Sequence, residues 1–339
     1  MTLRIGIVGA GANTRSRHIP GFQGLHGVEV TAVCNRTRAS GQKVAEEFGI
    51  SDVYDDWQEL VQAANVDAVC IGTWPYLHCD ITLASLASGK HVLTEARMAM
   101  NLAEAQKMLA ASQTSDQVAM IVPAPFYLES EPTLLEMIAN GIFGDWLEIH
   151  VSALSGDWSP EAPIHWRQRR ELSGDNIMSM GILNETVRRY AGHDERLTAH
   201  GRTFVDERPD GAGGKATVDV PDSLGIVSQL QNGAAAVYHI SSVAGRGRGG
   251  SIEMHGTKGA FRLEEGKAYV AIGAAAFAEL QVAPEKKWGW NVEADFVDAI
   301  RAGKPVTHTS FADGVRYMAF TDAVQTSLRE GRRVDLPKT

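Results

Sequence analysis

The sequence predicts a two-domain α/β protein: a parallel sheet covered by helices on both faces, followed by an α+β domain with a large, mostly antiparallel sheet. Its length of 339 residues fits about two domains. Over roughly the first 120 residues, short apolar runs alternate with helical patterns, which is typical of βαβ units. Period-two patterns follow, as expected for antiparallel strands. We therefore predict domains at residues 1–123 and 124–339.

The first domain is predicted to contain short apolar strands separated by helices that have clear end signals. Asn101 is a suitable N-cap for the last helix, and Gly49 and Gly89 end two others. Short apolar strands suit a sheet that is buried on both faces. The predicted strands are Arg4–Val8, Val28–Cys34, Ala68–Ile71, His91–Thr94 and Val118–Ile121. The predicted helices are Thr37–Phe48, Asp56–Ala63, Leu77–Ser88 and Leu102–Gln113.

The second domain is predicted to begin after a proline-rich crossing at residues 123–132. Three helices are predicted there, at Thr133–Asn140, Asn176–Tyr190 and Phe311–Leu328, and the last is able to pack back on the first domain. The period-two segments, which we predict to form one sheet, are Trp146–Ala153, Leu197–Val205, Ser223–Leu230, Ala234–Ser241, Ser251–His255 and Phe261–Leu263.

Composition narrows the class of protein. The chain has 32 Lys and Arg against 41 Asp and Glu, a net charge of −9, which argues against nucleic acid as a partner. No apolar run reaches about 18 residues, so we expect no membrane partner. Three cysteines without CxxC spacing, and no secretory pattern at the start, indicate a cytoplasmic protein. The 11 histidines show no HxxxH or HExxH spacing, so we predict no metal.

The strongest motif is a glycine turn between the first strand and the helix that follows it. Gly9 permits a tight turn, and Gly11 lets a pyrophosphate approach the backbone. The helix that follows offers unpaired N–H groups to the phosphates. Thr14 stands where the dinucleotide fingerprint has its third glycine. The predicted cofactor residues of this turn are Gly9, Gly11, Ala12, Asn13 and Thr14.

The end of the second predicted strand indicates which dinucleotide is bound. An NAD site usually has an acid here for the ribose 2′-hydroxyl, and an acid would repel a 2′-phosphate. The chain instead has neutral Asn35 and Thr37 beside the cations Arg36 and Arg38. These residues predict NADP in preference to NAD. The alternative is that the two arginines are ordinary surface charges at a helix start.

Two further segments resemble a known family. They are Gly72-Thr73-Trp74-Pro75-Tyr76-Leu77-His78 and Gly89-Lys90-His91-Val92-Leu93-Thr94-Glu95-Ala96-Arg97. They are similar to motifs of the glucose–fructose oxidoreductase/inositol dehydrogenase/MocA-like family, which has G-K-H-V-x-x-E-K-P after its fifth strand. Trp166-Arg167 and Gly256-Thr257-Lys258-Gly259-Ala260 extend the resemblance over nearly the whole chain.

The resemblance implies a Rossmann doubly wound domain and a second domain whose open sheet carries one face of the active site. It implies an oxidoreductase that acts on a sugar, polyol or related compound. It also implies a homodimer or homotetramer assembled through the C-terminal sheet. Cofactor contacts would include Thr73, Trp74, Pro75, His78, Glu95, Ala96, Trp166 and Arg167.

The departures from the family concern its catalytic residues. The family lysine, which contacts substrate and cofactor, is replaced by Ala96, and the Asp and His of the family's D-x-G-x-H helix by Ser179 and Leu183. If the chain is an enzyme, other groups must move the proton. The candidate catalytic residues are His78, Arg97, Tyr127, His165, Asn184 and Glu185. Glu185 and Arg189 are also spaced as a surface ion pair would be.

Three functions therefore stay open at this point. The first is an NADP-dependent oxidoreductase with non-standard acid–base residues, and it is the one we predict. The second is an enzyme that oxidises its substrate transiently, eliminates or hydrolyses it, and returns the hydride. The third is a catalytically silent sensor or partner protein that keeps the dinucleotide site.

Overall fold

A computed structural model describes residues 2–124, 129–156, 158–247, 249–306 and 308–337. Tyr127, a candidate from the sequence, lies outside these ranges. The chain divides into two compact units. Unit 1 comprises Met1–Pro123 and Asn291–Arg316, and unit 2 comprises Ala124–Trp290 and Tyr317–Thr339.

The described residues form strands and helices that alternate as far as residue 121 and become strand-rich afterwards. The strands are β1 Leu3–Val8, β2 Val28–Cys34, β3 Asp52–Tyr54, β4 Ala68–Ile71, β5 His91–Thr94, β6 Ala119–Ile121, β7 Trp146–Leu154, β8 Asp194–Arg202, β9 Glu207–Pro209, β10 Lys215–Thr217, β11 Ser223–Leu230, β12 Ala235–Ser241, β13 Gly249–Gly256, β14 Gly259–Glu264, β15 Lys267–Ile272, β16 Ala278–Glu279, β17 Thr309–Ser310 and β18 Val334–Asp335. The α-helices are α1 Ile19–Gln23, α2 Arg38–Phe48, α3 Trp57–Gln62, α4 His78–Ala87, α5 Leu102–Gln113, α6 Glu131–Ala139, α7 Arg170–Ser173, α8 Met180–Ala191, α9 Val292–Ala302 and α10 Phe311–Glu330.

Unit 1 contains the predicted parallel sheet. Its strand order is β17-β6-β5-β4-β1-β2-β3, and every neighbouring pair is parallel except β17 with β6. From β3 to β6 this is the order of a Rossmann sheet, with the order reversing between β1 and β4. The fold prediction is confirmed for this unit. Ligands bind in such sheets at the carboxyl ends of the strands, next to the reversal.

The helix ends of unit 1 follow the signals in the sequence. The Thr37 hydroxyl accepts a hydrogen bond from Ser40 N at 3.3 Å, and Asn101 Oδ1 accepts one from Glu104 N at 3.0 Å. Gly49 ends α2 with a φ of 69°, a conformation that favours glycine. A π-helical turn at Thr14–His18 joins the glycine turn to α1.

Unit 2 is built on a nine-stranded sheet of order β16-β15-β14-β13-β7-β12-β11-β8-β18. All neighbours are antiparallel except β7 with β12, so the mostly antiparallel sheet is confirmed. Side chains alternate along β11 and β12. Leu224, Ile226 and Tyr238 are buried, whereas Val227 and Val237 lie opposite each other on the exposed face.

The helix α8 packs on the buried face of this sheet and is fixed there by a polar network. Asn184 Nδ2 donates to Asp194 at 2.8 Å and to the Tyr238 hydroxyl at 3.3 Å, and the Ser228 hydroxyl also donates to Asp194. All four residues are buried. These buried hydrogen bonds fix how α8 is oriented on the sheet.

The structure corrects several element boundaries. The helix predicted at Asn176–Tyr190 begins at Met180, because Met178 has a φ of 47° and a residue in this left-handed region does not continue a right-handed helix. The helix α9 and the short strand β3 were not predicted. β3 has three half-buried residues, too few for a periodic pattern. Among the described residues, no helix is both long and apolar enough to span a membrane.

Candidate functional site

A cleft of about 490 Å³ opens in unit 1 where the sheet order reverses. Its walls come from the ends of β1, β2 and β4 and from the segments that follow them, with Asp55, Asp56 and Trp57 on one side. The loops after neighbouring parallel strands meet at one edge of the sheet, so the glycine turn after β1 lies beside Gly72 and Thr73 after β4. The cleft therefore contains two of the motifs that the sequence singled out.

The glycines of this cleft have different physical roles. Gly9 has a φ of 88°, and a Cβ there would lie 2.7 Å from Thr73 N. A Cβ at Gly72 would lie 2.1 Å from Thr14 Oγ1, and Thr14 donates to Gly9 O at 3.2 Å. A Cβ at Gly11 would meet only Gly72 O, at 3.8 Å, so that position faces open space. The turn is thus rigid at Gly9 and open at Gly11, as a pyrophosphate cradle requires.

The residues after β2 form the far end of the cleft. Asn35 Oδ1 accepts a hydrogen bond from Ala10 N at 2.7 Å and so holds the glycine turn. Arg36 is exposed, with its guanidinium carbon 6.0 Å from the centre of the Trp74 ring. Arg38 pairs with Asp55 at 2.8 Å on the surface. Of the predicted residues here, Asn35, Arg36 and Thr37 line the cleft, and Arg38 does not.

The segment after β4 contributes Thr73 and Trp74 to the cleft wall, while Pro75 and His78 are buried behind it. His78 Nδ1 lies 3.0 Å from Arg97 O, and Nε2 lies 3.0 Å from Thr73 O. Burial lowers the pKa of His78 more than these carbonyls raise it. This imidazole is therefore neutral at pH 7, and its nitrogens face backbone carbonyls.

A buried charge cluster lies behind the glycine turn, and we call it the His18 cluster: Asn13, His18, Glu95 and Glu293. His18 Nε2 donates to Glu95 at 3.1 Å, its Nδ1 donates to Glu293, and Asn13 Nδ2 donates to Glu95. Burial alone would lower the pKa of His18, but the two carboxylates outweigh it and raise the pKa to about 9. The cluster is a protonated imidazole between two carboxylates that come from the end of β5 and from α9.

The E-K-P-like segment Glu95-Ala96-Arg97 begins at this cluster. Glu95 is held by His18 and Asn13, and its pKa is lowered because His18 outweighs the opposing effect of burial. Ala96 is half-buried and Arg97 is buried, with 1% of its surface exposed. None of the three lines the cleft of unit 1.

A second cavity, of about 430 Å³, lies in unit 2, and we call it the unit 2 cavity. It is lined by residues that precede α8 and by the ends of β7 and β12. His165 and Arg167 line it, whereas Trp166 does not and stacks under the Arg167 guanidinium at 4.1 Å. Ser179, which aligns with the family Asp, also borders it. Burial and the Arg167 charge lower the pKa of His165, so its ring is neutral at pH 7.

The other candidates on α8 face the interior. Leu183, at the family His position, is part of the apolar core of unit 2. Asn184 belongs to the Asp194 network. Glu185 is buried and accepts from Ala124 N at 3.3 Å, while Arg189 pairs with Glu131. Glu185 is therefore not a surface residue.

Sequence reasoning missed His18, Glu293, Asp55, Asp56 and the rest of the lining of the unit 2 cavity. Asp55 and Asp56 directly follow β3, so a correct strand assignment would have found them. His18 and Glu293 are 275 residues apart, and no local pattern connects them. In the described part of the chain, no group of three or more His, Cys, Asp and Glu side chains is arranged to hold a metal ion.

Comparison with protein families agrees with this geometry. Residues 3–122 match an oxidoreductase family with an NAD-binding Rossmann fold. Residues 133–262 match the Gfo/Idh/MocA C-terminal domain. Together the two matches span well over half of the chain.

Individual relatives are distant but cover much of the chain. The chain is 26% identical to levoglucosan dehydrogenase of Pseudarthrobacter phenanthrenivorans over 87% of this chain and 86% of that one. It is 26% identical to myo-inositol 2-dehydrogenase of Thermotoga maritima over 76% and 74%. A solved levoglucosan dehydrogenase, in complex with NADH and L-sorbose, superposes with a TM-score of 0.89 at 24% identity over 100% of both chains. At that identity the superposition establishes the fold.

The His18 cluster makes stability depend on pH. A histidine whose pKa is near 6.5 when unfolded and about 9 when folded stabilises the fold fully below pH 6.5. This contribution is lost as the pH rises to 9. We expect the free energy of unfolding, measured by urea titration, to fall between pH 6.5 and 9 with a slope close to one proton.

The variant His18→Gln provides the control, because it removes the titrating imidazole and keeps a side chain that can hydrogen-bond. We expect its slope over the same pH range to be smaller by about one proton. Equal slopes in the two proteins would show that His18 is not protonated in the folded state.

Proposed function

The chain belongs to the Gfo/Idh/MocA family of oxidoreductases, and on that basis we propose that it is an NADP(H)-dependent oxidoreductase acting on a sugar, a polyol or a related hydroxy or carbonyl compound. The observation that carries the proposal is the cleft at the reversal of the unit 1 sheet, with Gly11 open toward it. The names of the relatives, dehydrogenases of levoglucosan and myo-inositol, support the substrate class.

The residues of the cleft fit a dinucleotide. The turn Gly9–Gly11 would hold the pyrophosphate, assisted by the first N–H groups of the helix that follows. Trp74 and Trp57 give the cleft flat apolar walls that suit an adenine ring. When bound, the nicotinamide ring accepts or donates the hydride. The chain itself must orient both ligands and move one proton.

The preference for NADP rests on Arg36. It is exposed at the cleft next to two neutral residues, so its guanidinium is available to a 2′-phosphate. Arg38 contributes less, because Asp55 already pairs with it. A phosphate bound there would have Asp55 and Asp56 nearby, so the preference depends on a direct contact with Arg36 rather than on the overall charge of the cleft.

The preference for NADP is tested by titrating the protein with NADPH and, separately, with NADH. Binding is followed by the quenching of tryptophan emission. We expect tight binding that favours NADPH. In Arg36→Glu, the NADPH affinity should fall roughly tenfold or more, since a hydrogen bond to a charged group contributes about 1.5–3 kcal/mol. NADH affinity should change little.

Arg38→Glu is the matched variant, and we expect a smaller loss of NADPH affinity there. An equal loss for both cofactors in Arg36→Glu would remove the 2′-phosphate argument. If the wild-type protein bound neither cofactor, the oxidoreductase proposal would be wrong.

We propose, by elimination among the sequence candidates, that Glu185 transfers the proton. Asn184 is an amide and cannot act as a general acid or base. His78 is not the proton carrier either, because its ring nitrogens face backbone carbonyls. His165 Nδ1 accepts from Arg167 N at 3.2 Å, which leaves its other nitrogen as a hydrogen-bond donor. Glu185 has a buried carboxylate, a group that can take up and release a proton.

We expect Glu185→Gln to lower kcat by at least roughly a hundredfold, the usual contribution of general acid–base catalysis. The measurement is NADPH formation at 340 nm with a panel of sugars and polyols. NADPH affinity and the unfolding midpoint should stay near the wild-type values. Wild-type turnover in the variant would remove Glu185 from the mechanism.

The exposed face of the unit 2 sheet is proposed as the surface through which the chain forms a homodimer or homotetramer. Val227 and Val237 are 59% and 43% exposed and lie opposite each other on neighbouring strands. An exposed apolar pair in the middle of a sheet is a typical interface element.

Light scattering coupled to size exclusion tests the assembly. The wild-type protein should have two or four times the mass of one chain, and the double variant Val227→Glu/Val237→Glu should be monomeric. Leu147→Glu is the control. Leu147 is 52% exposed, but it lies on the opposite face of the sheet, in line with the buried Ile149 and Val151 of β7. A monomeric wild-type protein would contradict the assembly.

A further inference from the structure

We infer that the association of two copies of the chain through the exposed face of the unit 2 sheet is controlled by pH, and that His200 and His239 are the residues that respond. The inference rests on the homo-oligomer proposed above and adds its regulation. Histidine is the side chain whose charge ordinarily changes between about pH 5 and 8. Of the 11 histidines, four lie on this one face, His150, His200, His239 and His255.

The strand register places the histidines around the exposed valine pair. His150 on β7 lies opposite Val237 on β12, and His239 follows Val237 by two residues, so both project to the exposed side. Gly225 on β11 lies opposite His239 on one side and His200 on the other. Because glycine has no side chain, the two imidazoles stand on either side of an open position, and both are exposed.

The charges of the face suit a second copy of the chain. On the five central strands, β13, β7, β12, β11 and β8, the described charged residues that share this orientation are two glutamates and two arginines, Glu148, Glu253, Arg196 and Arg202. While the histidines are neutral, this part of the face therefore has no net charge. In a dimer with two-fold symmetry each face meets an identical one, so any net charge would be opposed by the same charge. A balanced face around an apolar centre can pack against itself.

A proton on His200 or His239 would have no carboxylate beside it on the described face. The row of residues that runs across the strands through these two histidines is otherwise neutral and consists of Gly225, Ser152 and Ser251. Along β8 and β12, the adjacent side chains of this face include one charge, that of Arg202, which is also positive. The neighbouring titratable side chain on β7 is His150, diagonal to His239. Protonation therefore adds uncompensated positive charge at this position.

The other two histidines have carboxylate partners within the chain. His150 Nε2 lies 3.4 Å from Glu148, and His255 Nε2 lies 2.8 Å from Glu253. A proton on either imidazole is neutralised locally by its glutamate. The face therefore contains one histidine pair whose charge would be compensated and one pair whose charge would not, and this difference provides a matched control.

The sign of the effect follows from where a proton binds more easily. In separated copies the imidazoles of His200 and His239 are in water, which solvates their charge. In the assembly they would be removed from water against an identical face, which costs free energy for a charged group without a partner. Low pH therefore favours separate copies. The His18 cluster contributes its full stability below pH 6.5, so loss of this cluster does not account for dissociation at low pH.

The dissociation constant of the assembly is measured by sedimentation equilibrium of the full chain at about pH 8 and at about pH 5.5, on either side of the ordinary titration of histidine. We expect the constant to rise by roughly tenfold or more at the lower pH, because uptake of one proton on dissociation changes it tenfold per pH unit below the titration point. Circular dichroism at both pH values verifies that the protein is folded.

Two double variants separate the two histidine pairs. In His200→Gln/His239→Gln we expect an assembly that is as tight at the lower pH as at the higher one, because glutamine does not titrate. In His150→Gln/His255→Gln, the matched control on the same face, the pH dependence should remain, because the charges of these histidines are compensated by Glu148 and Glu253.

The outcomes distinguish this inference from the proposals on which it rests. It alone would be overturned by a wild-type dissociation constant that is the same at both pH values. It would also be overturned if His200→Gln/His239→Gln kept the pH dependence or were monomeric at the higher pH. A wild-type protein that is monomeric at the higher pH would overturn the proposed assembly together with this inference. The cofactor titration decides the oxidoreductase proposal independently of either result.

Discussion

The close contact between the glycine turn after β1 and the loop after β4 is the constraint on which the cofactor cleft depends. Gly9 and Gly72 approach so closely that a Cβ on either would meet backbone or the Thr14 hydroxyl. Thr14 occupies the position of the third fingerprint glycine and uses its hydroxyl to hold Gly9 O. The substitution therefore keeps the turn tight by a hydrogen bond, where the usual fingerprint relies on the absence of a side chain.

The two units use charge in opposite ways. In unit 1 Arg36 at the cleft is accompanied by Asp55 and Asp56, and the buried His18 charge is enclosed by two carboxylates. In the unit 2 cavity the described lining has arginines and hydroxyls without carboxylates. Carboxylates therefore lie beside the cations of unit 1, whereas the described lining of the unit 2 cavity contains none. Leu183, which stands at the position of the family histidine, lies in the apolar core of unit 2.

Local signals were sufficient for much of this protein. The glycine turn, the alternation that gave the parallel sheet, and the cap at Asn101 depend on residues close in sequence, and all were predicted. The site required contacts that sequence does not reveal. Whether Asn184 faces a ligand or Asp194 depends on how α8 rotates against the sheet. The resemblance to the family could identify the missing lysine and histidine but not the lining of the unit 2 cavity, because that lining comes from six separate segments.

The discontinuity of unit 1 also has a consequence for how the chain is made. Residues 291–316 complete this unit: β17 pairs with the edge strand β6, and Glu293 supplies one of the two carboxylates of His18. A nascent chain that has released only its first 123 residues has β6 as an open edge and lacks one counter-charge for His18. Unit 1 therefore reaches its final structure only after most of unit 2 has been synthesised. N-terminal domains usually fold first, but β17 of unit 1 can pair with β6 only at this late stage.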